Sequence, residues 1–273
     1  MKSMEYFEKY MNTENMSQNT ILAYMSDVRK MLESIGKQEA EITYIDLIEW
    51  KGDIQSLASA TVDRKIRAVR KYFEFLFNAE FIEKNPAEKL TGVKVKNKEM
   101  KALTSEQLNA MLNNSWGRDR AIIMTLATTA IRVSELINLQ YEDLGKEEIT
   151  IVGKGDKARK IYLNEATRKA IKDYLPRRKA GCSNLFISDN NTPMKEKNIN
   201  AMLKKVAKRT GMFEDASWVT PHTLRRARAT LWSEAGVPLA TIQKSMGHSR
   251  IETTMKYIKV YDDSVQNAMM MEV

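Results

Sequence analysis

The chain of 273 residues holds one cysteine, Cys182, and two histidines, His222 and His248. A single thiol excludes an internal disulfide framework and a cysteine-built zinc site, and Cys182 reads as an ordinary small thiol. No window approaches 18 consecutive apolar residues, and no basic segment followed by an apolar run opens the chain. Neither a spanning helix nor a secretory leader is therefore expected. Internal repeats, low-complexity tracts and a nucleotide-binding phosphate loop are missing too. These absences point to an intracellular, cytoplasmic protein with no membrane partner, no metal site and no cofactor.

What is present is charge of one sign. Apolar residues make up 43% and charged residues 29%, enough for a true core under a soluble, helix-rich surface. The formal charge is +9 and the pI about 9.4, which suits a polyanionic partner. Residues 1–100 carry 16 Lys/Arg against 16 Asp/Glu, so the whole excess lies after residue 100. A neutral N-terminal module must bind a polyanion through local patches.

Residues 1–91 read as four or five helices. A short amphipathic piece covers Met1–Met11, and Ser17 caps a helix to about Ile35 with Ile21, Tyr24, Met25, Val28, Met31 and Leu32 at core spacing. A third helix is expected over Tyr44–Gln55. A fourth, Ser59–Phe77, places Ile66, Val69, Phe73, Leu76 and Phe77 inside. Arg64, Arg67, Arg70 and Lys71 line another side of it, either as a solvated face or as a contact to DNA phosphates. The polar, basic segment 92–102 reads as a linker. Thr104 with Gln107 then forms a capping box that opens a second domain, 103–273.

In that domain helices are expected at 105–114, 118–129 and Val133–Leu139. The period then switches. Ile149–Val152 and Lys160–Leu163 flank G-K-G-D-K as a β-hairpin, with Lys154 in its turn. Helices at 165–175 and 195–210 follow, with Leu185–Ser188 as a third strand.

Both histidines fall between Thr220 and Tyr257. Thr220 can cap a helix that starts at Pro221, which sets His222 and Arg225 on one face near a helix N-terminus, where an anion is favoured. A short helix, Pro238–Met246, ends at Gly247. His248 follows, and Ser249 with Glu252 suggests a capping box for the helix that carries Tyr257. After Tyr257, Asp262 and Asp263 can open a tail helix whose apolar stripe is Tyr261, Val265, Ala268 and Met269. Arginines, imidazoles and a tyrosine without a metal cluster suit attack of a phenolate on a phosphodiester. A phenol of pKa about 10 is ionised to roughly one part in a thousand at pH 7, so neighbouring cations must activate it.

With Arg132, Lys154, His222, Arg225, His248 and Tyr257 in this order, the chain resembles the tyrosine recombinase (phage integrase) family over nearly its whole length, closest to its Xer-like, two-domain members. T-A-I-R-V-S-E-L is similar to the first arginine motif and G-K-G-D-K-A-R-K to the lysine hairpin. H-T-L-R, M-G-H-S and T-T-M-K-Y match the remaining boxes. The resemblance implies a mostly α fold with a small antiparallel sheet: an N-terminal helical, SAM-like core-binding domain and a mixed α/β catalytic domain. It implies strand exchange on double-stranded DNA through a 3′-phosphotyrosine and a Holliday junction, within a tetrameric synapse and without metal or ATP. The need for an accessory factor or partner recombinase stays open.

By motif, Arg132 and Arg225 clamp the scissile phosphate, Lys154 protonates the leaving 5′-oxygen, and His222 and His248 support proton transfer. Glu135 orients the site from behind. Three residues depart from the pattern: Ala130 where glycine is common, Arg226 where a second histidine is usual, and Met246 for leucine. A DNA-binding regulator that no longer cuts is opposed by all six catalytic positions being filled. A type IB topoisomerase is opposed by the core-binding domain.

Overall fold

A computed structural model describes residues 2–95, 101–153 and 158–255. Lys154, Tyr257, the hairpin turn and the tail helix expected after Tyr257 lie outside the described residues. The chain divides into two compact units, Met1–Glu99 and Met100–Val273, and the division falls inside the segment read as a linker. Among the described residues no helix is long and apolar enough to cross a membrane.

The first unit is built from α1 (Lys2–Thr13), α2 (Gln18–Ile35), α3 (Tyr44–Asp53) and α4 (Ser59–Asn78). Ser17, extended, accepts the Thr20 N–H at 3.3 Å, and Gly36 at φ 69 ends α2 with a left-handed residue that glycine adopts without a Cβ clash. Ile21, Met25, Val28 and Met31 are buried, with Tyr24 and Leu32 at the rim of the same core. Each fully buried aliphatic or aromatic side chain contributes about 1.5–3 kcal/mol of transfer free energy.

Helix α4 corrects one expectation. Val62, Ile66, Val69, Tyr72, Phe73 and Leu76 are buried, but Phe77 is 47% exposed. The apolar stripe runs along the other five turns' inner edge, and Phe77 sits one step past it at the helix end, beside Phe81 and Ile82 along an open cleft.

The second unit contains α5 (Ser105–Asn113), α6 (Gly117–Thr129), α7 (Val133–Asn138), strands β1 (Ile149–Val152) and β2 (Ala158–Ile161), then α8 (Glu165–Tyr174), α9 (Glu196–Arg209), α10 (Pro221–Glu234), α11 (Leu239–Met246) and α12 (Ile251–Met255). Thr104 and Gln107 form the expected reciprocal capping box of α5, at 3.2 and 3.1 Å. Helix α6 is the axis of this unit. Its Ala121, Ile122, Ile123 and Leu126 are buried on all sides, and it packs against α8 and α10. The two strands are antiparallel, with Ile149 opposite Ile161 and Val152 opposite Ala158. β2 thus starts two residues before the expected Lys160.

Leu185–Ser188 is not a strand. Leu185, Phe186 and Ile187 are buried in the core, but the backbone forms only isolated bridges, Gln140 with Asn184 and Ile187 with Pro193. The Arg178 guanidinium takes the carbonyls of Cys182, Asn184 and Leu185, which a ladder would otherwise use. Burial without alternation reads as a strand in sequence; the backbone found a side-chain donor instead.

Helix α6 ends at Ala130, which is fully buried and left-handed at φ 52. An alanine there carries strain of about 1–2 kcal/mol. Ala130→Gly relieves it and loses a buried methyl of about 0.8 kcal/mol. These terms nearly cancel, so its midpoint of thermal unfolding should stay within about 4 °C of the unsubstituted chain. Ala130→Val adds branching where the backbone tolerates it least and should fall by more. Circular dichroism melts check both, and a valine variant as stable as the glycine one contradicts the strain at this turn.

Candidate active site

The end of α6 turns the chain so that Arg132 precedes α7 as its N-cap residue, with Glu135 one turn inside. Glu135 reaches back and accepts the Arg132 backbone N–H at 2.6 Å and its Nη1 at 2.9 Å. Its two oxygens also accept Nη1 and Nη2 of Arg159 on β2, at 2.8 and 2.7 Å. The residue is only 5% exposed. Burial alone raises the pKa of its carboxyl, but the Arg159 guanidinium, the Arg132 amide and the Arg132 side chain outweigh it and bring it down to about 2.

Helix α10 starts as the sequence suggests. Thr220 accepts the Thr223 N–H, Pro221 occupies the first position, and Gly236 follows the end of the helix at φ 75. Arg225 is 3% exposed and its guanidinium donates to the carbonyls of Ala130 and Met246, with Nη2 lying 3.2 Å from His248 Nε2. The left-handed Ala130 and the left-handed Gly247 (φ 64) therefore shape the two turns whose carbonyls and imidazole hold this arginine. Arg132 Nη2 donates to Gly247 O at 3.1 Å.

An arginine can only donate, so Nε2 of His248 is the acceptor and its proton sits on Nδ1, 2.9 Å from Thr254 Oγ1. Partial burial, then Arg225, Arg132 and Arg159, push the His248 pKa down to about 4. His222 is exposed at the start of α10 and forms no side-chain hydrogen bond among the described residues. Desolvation of its inner side, then Arg226, Arg225 and Arg132, lower its pKa as well. Both imidazoles are neutral at pH 7.

The structure thus brings together Arg132, Glu135, His222, Arg225 and His248. Lys154 and Tyr257 lie outside the described residues, one residue after Gly153 and two after Met255. One local expectation is corrected: α12 begins at Ile251, a residue later than a Ser249–Glu252 capping box needs, and no hydrogen bond joins that pair. Thr254, fully buried, fixes the start of α12 through His248 instead.

Arg159 and Thr254 escaped the sequence reading. A signal for Arg159 existed: on a strand of period two it shares a face with buried Ile161, so a charge was pointing inward. Arg132, Gly153, Arg159, Lys160, Gln243 and His248 line an open cleft of about 710 Å³. Two guanidiniums, those of Arg132 and Arg159, converge here on one carboxylate, which leaves an excess of positive charge suited to an anion.

The basic stripe of the first unit is less free than its spacing suggests. Arg64 and Lys65 both bind buried Asp27, Arg67 pairs with Asp63 at 2.7 Å, and Lys71 lies over the Tyr10 ring at 5.1 Å and 4.0 Å from Glu14. Arg70 is exposed.

A helical unit and a second unit of helices around one short hairpin, with an arginine turn and a helix-borne arginine facing a histidine turn, define the class. The chain belongs to the phage integrase family: the family's catalytic model matches residues 101–264, and its N-terminal SAM-like domain matches residues 4–80. It is 33% identical over 301 aligned residues to tyrosine recombinase XerC of Caldanaerobacter subterraneus, covering 97% of this chain and 85% of that protein. It is 32% identical over 274 residues to tyrosine recombinase XerA of Thermococcus onnurineus, covering 97% and 93%. Among solved structures it is similar to a XerA recombinase, with a TM-score of 0.55, 26% identity and coverage of 98% and 96%. The fold is also that of the Tn1549 transposon integrase in complex with circular intermediate DNA, with a TM-score of 0.76, 23% identity and coverage of 98% and 99%.

The depressed pKa of Glu135 fixes a pH dependence. Its folded value, about 2, lies below the ordinary 4.5, so its stabilisation is complete above pH 4.5 and is lost as pH falls towards 2. The full span is on the order of 3 kcal/mol. Urea unfolding from pH 5 to pH 3 should show a steeper loss in the unsubstituted chain than in Glu135→Gln. The histidines, also depressed, add a loss below pH 6.5 that both proteins share. Parallel curves below pH 5 contradict the ion pairs drawn around Glu135.

Proposed function

We infer that this chain is a site-specific DNA recombinase that cuts and rejoins duplex DNA through a 3′-phosphotyrosine, with strand exchange by way of a Holliday junction. The observation that carries this reading is that Arg132, held by buried Glu135, and Arg225 meet at the turn of His248 beside a second neutral imidazole, in a chain of the phage integrase family.

In the cleavage step the phenol oxygen of Tyr257 bonds to the scissile phosphorus and the bond from phosphorus to the 5′-oxygen breaks. Arg132 and Arg225 neutralise the non-bridging oxygens, whose charge grows towards the transition state. The phenol proton must leave and the 5′-oxygen must gain one. His222 and His248, neutral at pH 7, are suited to accept the first or to donate an N–H to the phosphate. Lys154, which lies between β1 and β2 in sequence, supplies the second. The phosphotyrosine keeps the energy of the broken ester, so religation to another 5′-hydroxyl reverses the chemistry without a nucleotide cofactor.

Arg64, Arg67, Arg70 and Lys71 contact the DNA backbone in this reading, exchanging carboxylates for phosphates where they are now paired. Four protomers assemble on two duplexes, and the tail after Tyr257 mediates part of that assembly.

Tyr257→Phe should bind DNA as tightly as the unsubstituted chain and form no covalent adduct on a nicked site, in a denaturing gel. An adduct retained by Tyr257→Phe and lost in Tyr261→Phe reassigns the nucleophile. Lys154→Ala should slow cleavage at least a hundredfold, consistent with the usual yield of general acid catalysis of about 10²–10⁴. A 5′-phosphorothiolate, whose leaving group needs no proton, should restore most of that rate; no rescue with binding intact contradicts the general-acid role.

A further inference from the structure

We propose that Arg159 is a positioning residue for DNA cleavage, which locks the residues preceding Lys154 and His248 onto the carboxylate that orients Arg132. The proposal rests on the reading of this site as a DNA cleavage centre.

Arg159 is a stem-to-tip connector. Its side chain is 9% exposed, and each of its three guanidinium nitrogens donates to a protein oxygen. Nη1 and Nη2 bind the two oxygens of Glu135 as a fork at 2.8 and 2.7 Å, and Nε donates to Ser245 O in the last turn of α11 at 3.0 Å. That turn leads through Gly247 to His248. Two glycines mark how closely the backbone approaches. A Cβ at Gly247 would lie 3.0 Å from Nη1 and 3.2 Å from Cδ of Arg159. One at Gly153, the residue before Lys154, would lie 3.3 Å from Nη1 of Arg159, Nη1 of Arg132 and Oε1 of Glu135.

Arg159 therefore touches, through one planar group, the base of the hairpin turn, the carboxylate behind Arg132 and the turn in front of His248. Its three hydrogen bonds all go to protein groups. It acts on the chemistry by holding other groups, and a lysine keeps the charge while losing the fork. It lies on β2, so Gly153, the last described residue before Lys154, and the turn before His248 are approached by the same side chain.

The test uses the full chain and a nicked duplex half-site whose sequence the protein itself enriches from a random duplex pool. Arg159→Lys should bind this half-site within threefold of the unsubstituted chain and melt as one cooperative unit. At saturating protein it should form the covalent adduct at least tenfold more slowly. Because Arg159 acts in part through Glu135 and in part through Ser245 O, the double variant Arg159→Met/Glu135→Gln should lose less than the product of the Arg159→Met and Glu135→Gln losses. This pair carries no unbalanced buried charge and serves if the lysine variant does not fold. An arm free of catalysis uses the only two imidazoles in the chain, whose side-chain nitrogen signals are separable: Arg159→Lys should shift those of His248 in DNA-free protein. Cleavage by Arg159→Lys within twofold of the unsubstituted rate overturns the proposal. So does a double variant whose loss is the product of the two single losses, or a loss explained wholly by weaker binding. If the unsubstituted chain binds its site yet makes no adduct while His248 still shifts, the recombinase reading fails and the positioning of the turn by Arg159 stands.

Discussion

Glu135 is one buried carboxylate shared between two guanidiniums, and the remainder of the site is arranged by that sharing. A charge with so little exposure is tolerated only when its partners satisfy both oxygens, and here the Arg132 amide, the Arg132 side chain and the Arg159 fork do so. Those partners come from the α6–α7 turn and from β2. Because Arg159 also holds Ser245 and Arg132 also holds Gly247, the α11–α12 turn is drawn to the same point. Three segments far apart in sequence are fixed by one anion.

The excess of cations over carboxylates explains the state of the histidines. Arg225 lies against His248, and its donor occupies the imidazole lone pair, so a proton there meets both desolvation and like charge. A phosphate entering the cleft reverses the sign of that environment. The proton exchange proposed for His222 and His248 would start from these neutral imidazoles.

Much of this was legible in the sequence because local rules agree with the fold. Ser17, Thr104 and Thr220 cap helices where their positions suggested, and Gly36 and Gly247 end them in left-handed turns. The order of Arg132, His222, Arg225 and His248 was also legible, since Arg132 and His248 sit in recognisable turns and His222 and Arg225 in the first turns of a capped helix. What failed depended on partners distant in the chain. Leu185–Ser188 has strand-like composition, but Arg178 claims the Leu185 carbonyl and Arg118 that of Ile187. The stripe of α4 reads as free cations, but Asp27, on another helix, binds Arg64. Arg159 reads as one more basic residue in a basic hairpin, and only the fold shows that Glu135 and Ser245 surround it.

The central claim is that this cation-lined cleft serves attack by Tyr257 on a DNA phosphate. The most direct test isolates the covalent complex formed on a nicked site, digests protein and DNA, and sequences the cross-linked peptide by mass spectrometry. The account predicts a single modified peptide, T-T-M-K-Y and its continuation, with the 3′-phosphate of a nucleotide esterified to Tyr257. A 5′-linked nucleotide, or a serine as the attached residue, contradicts it.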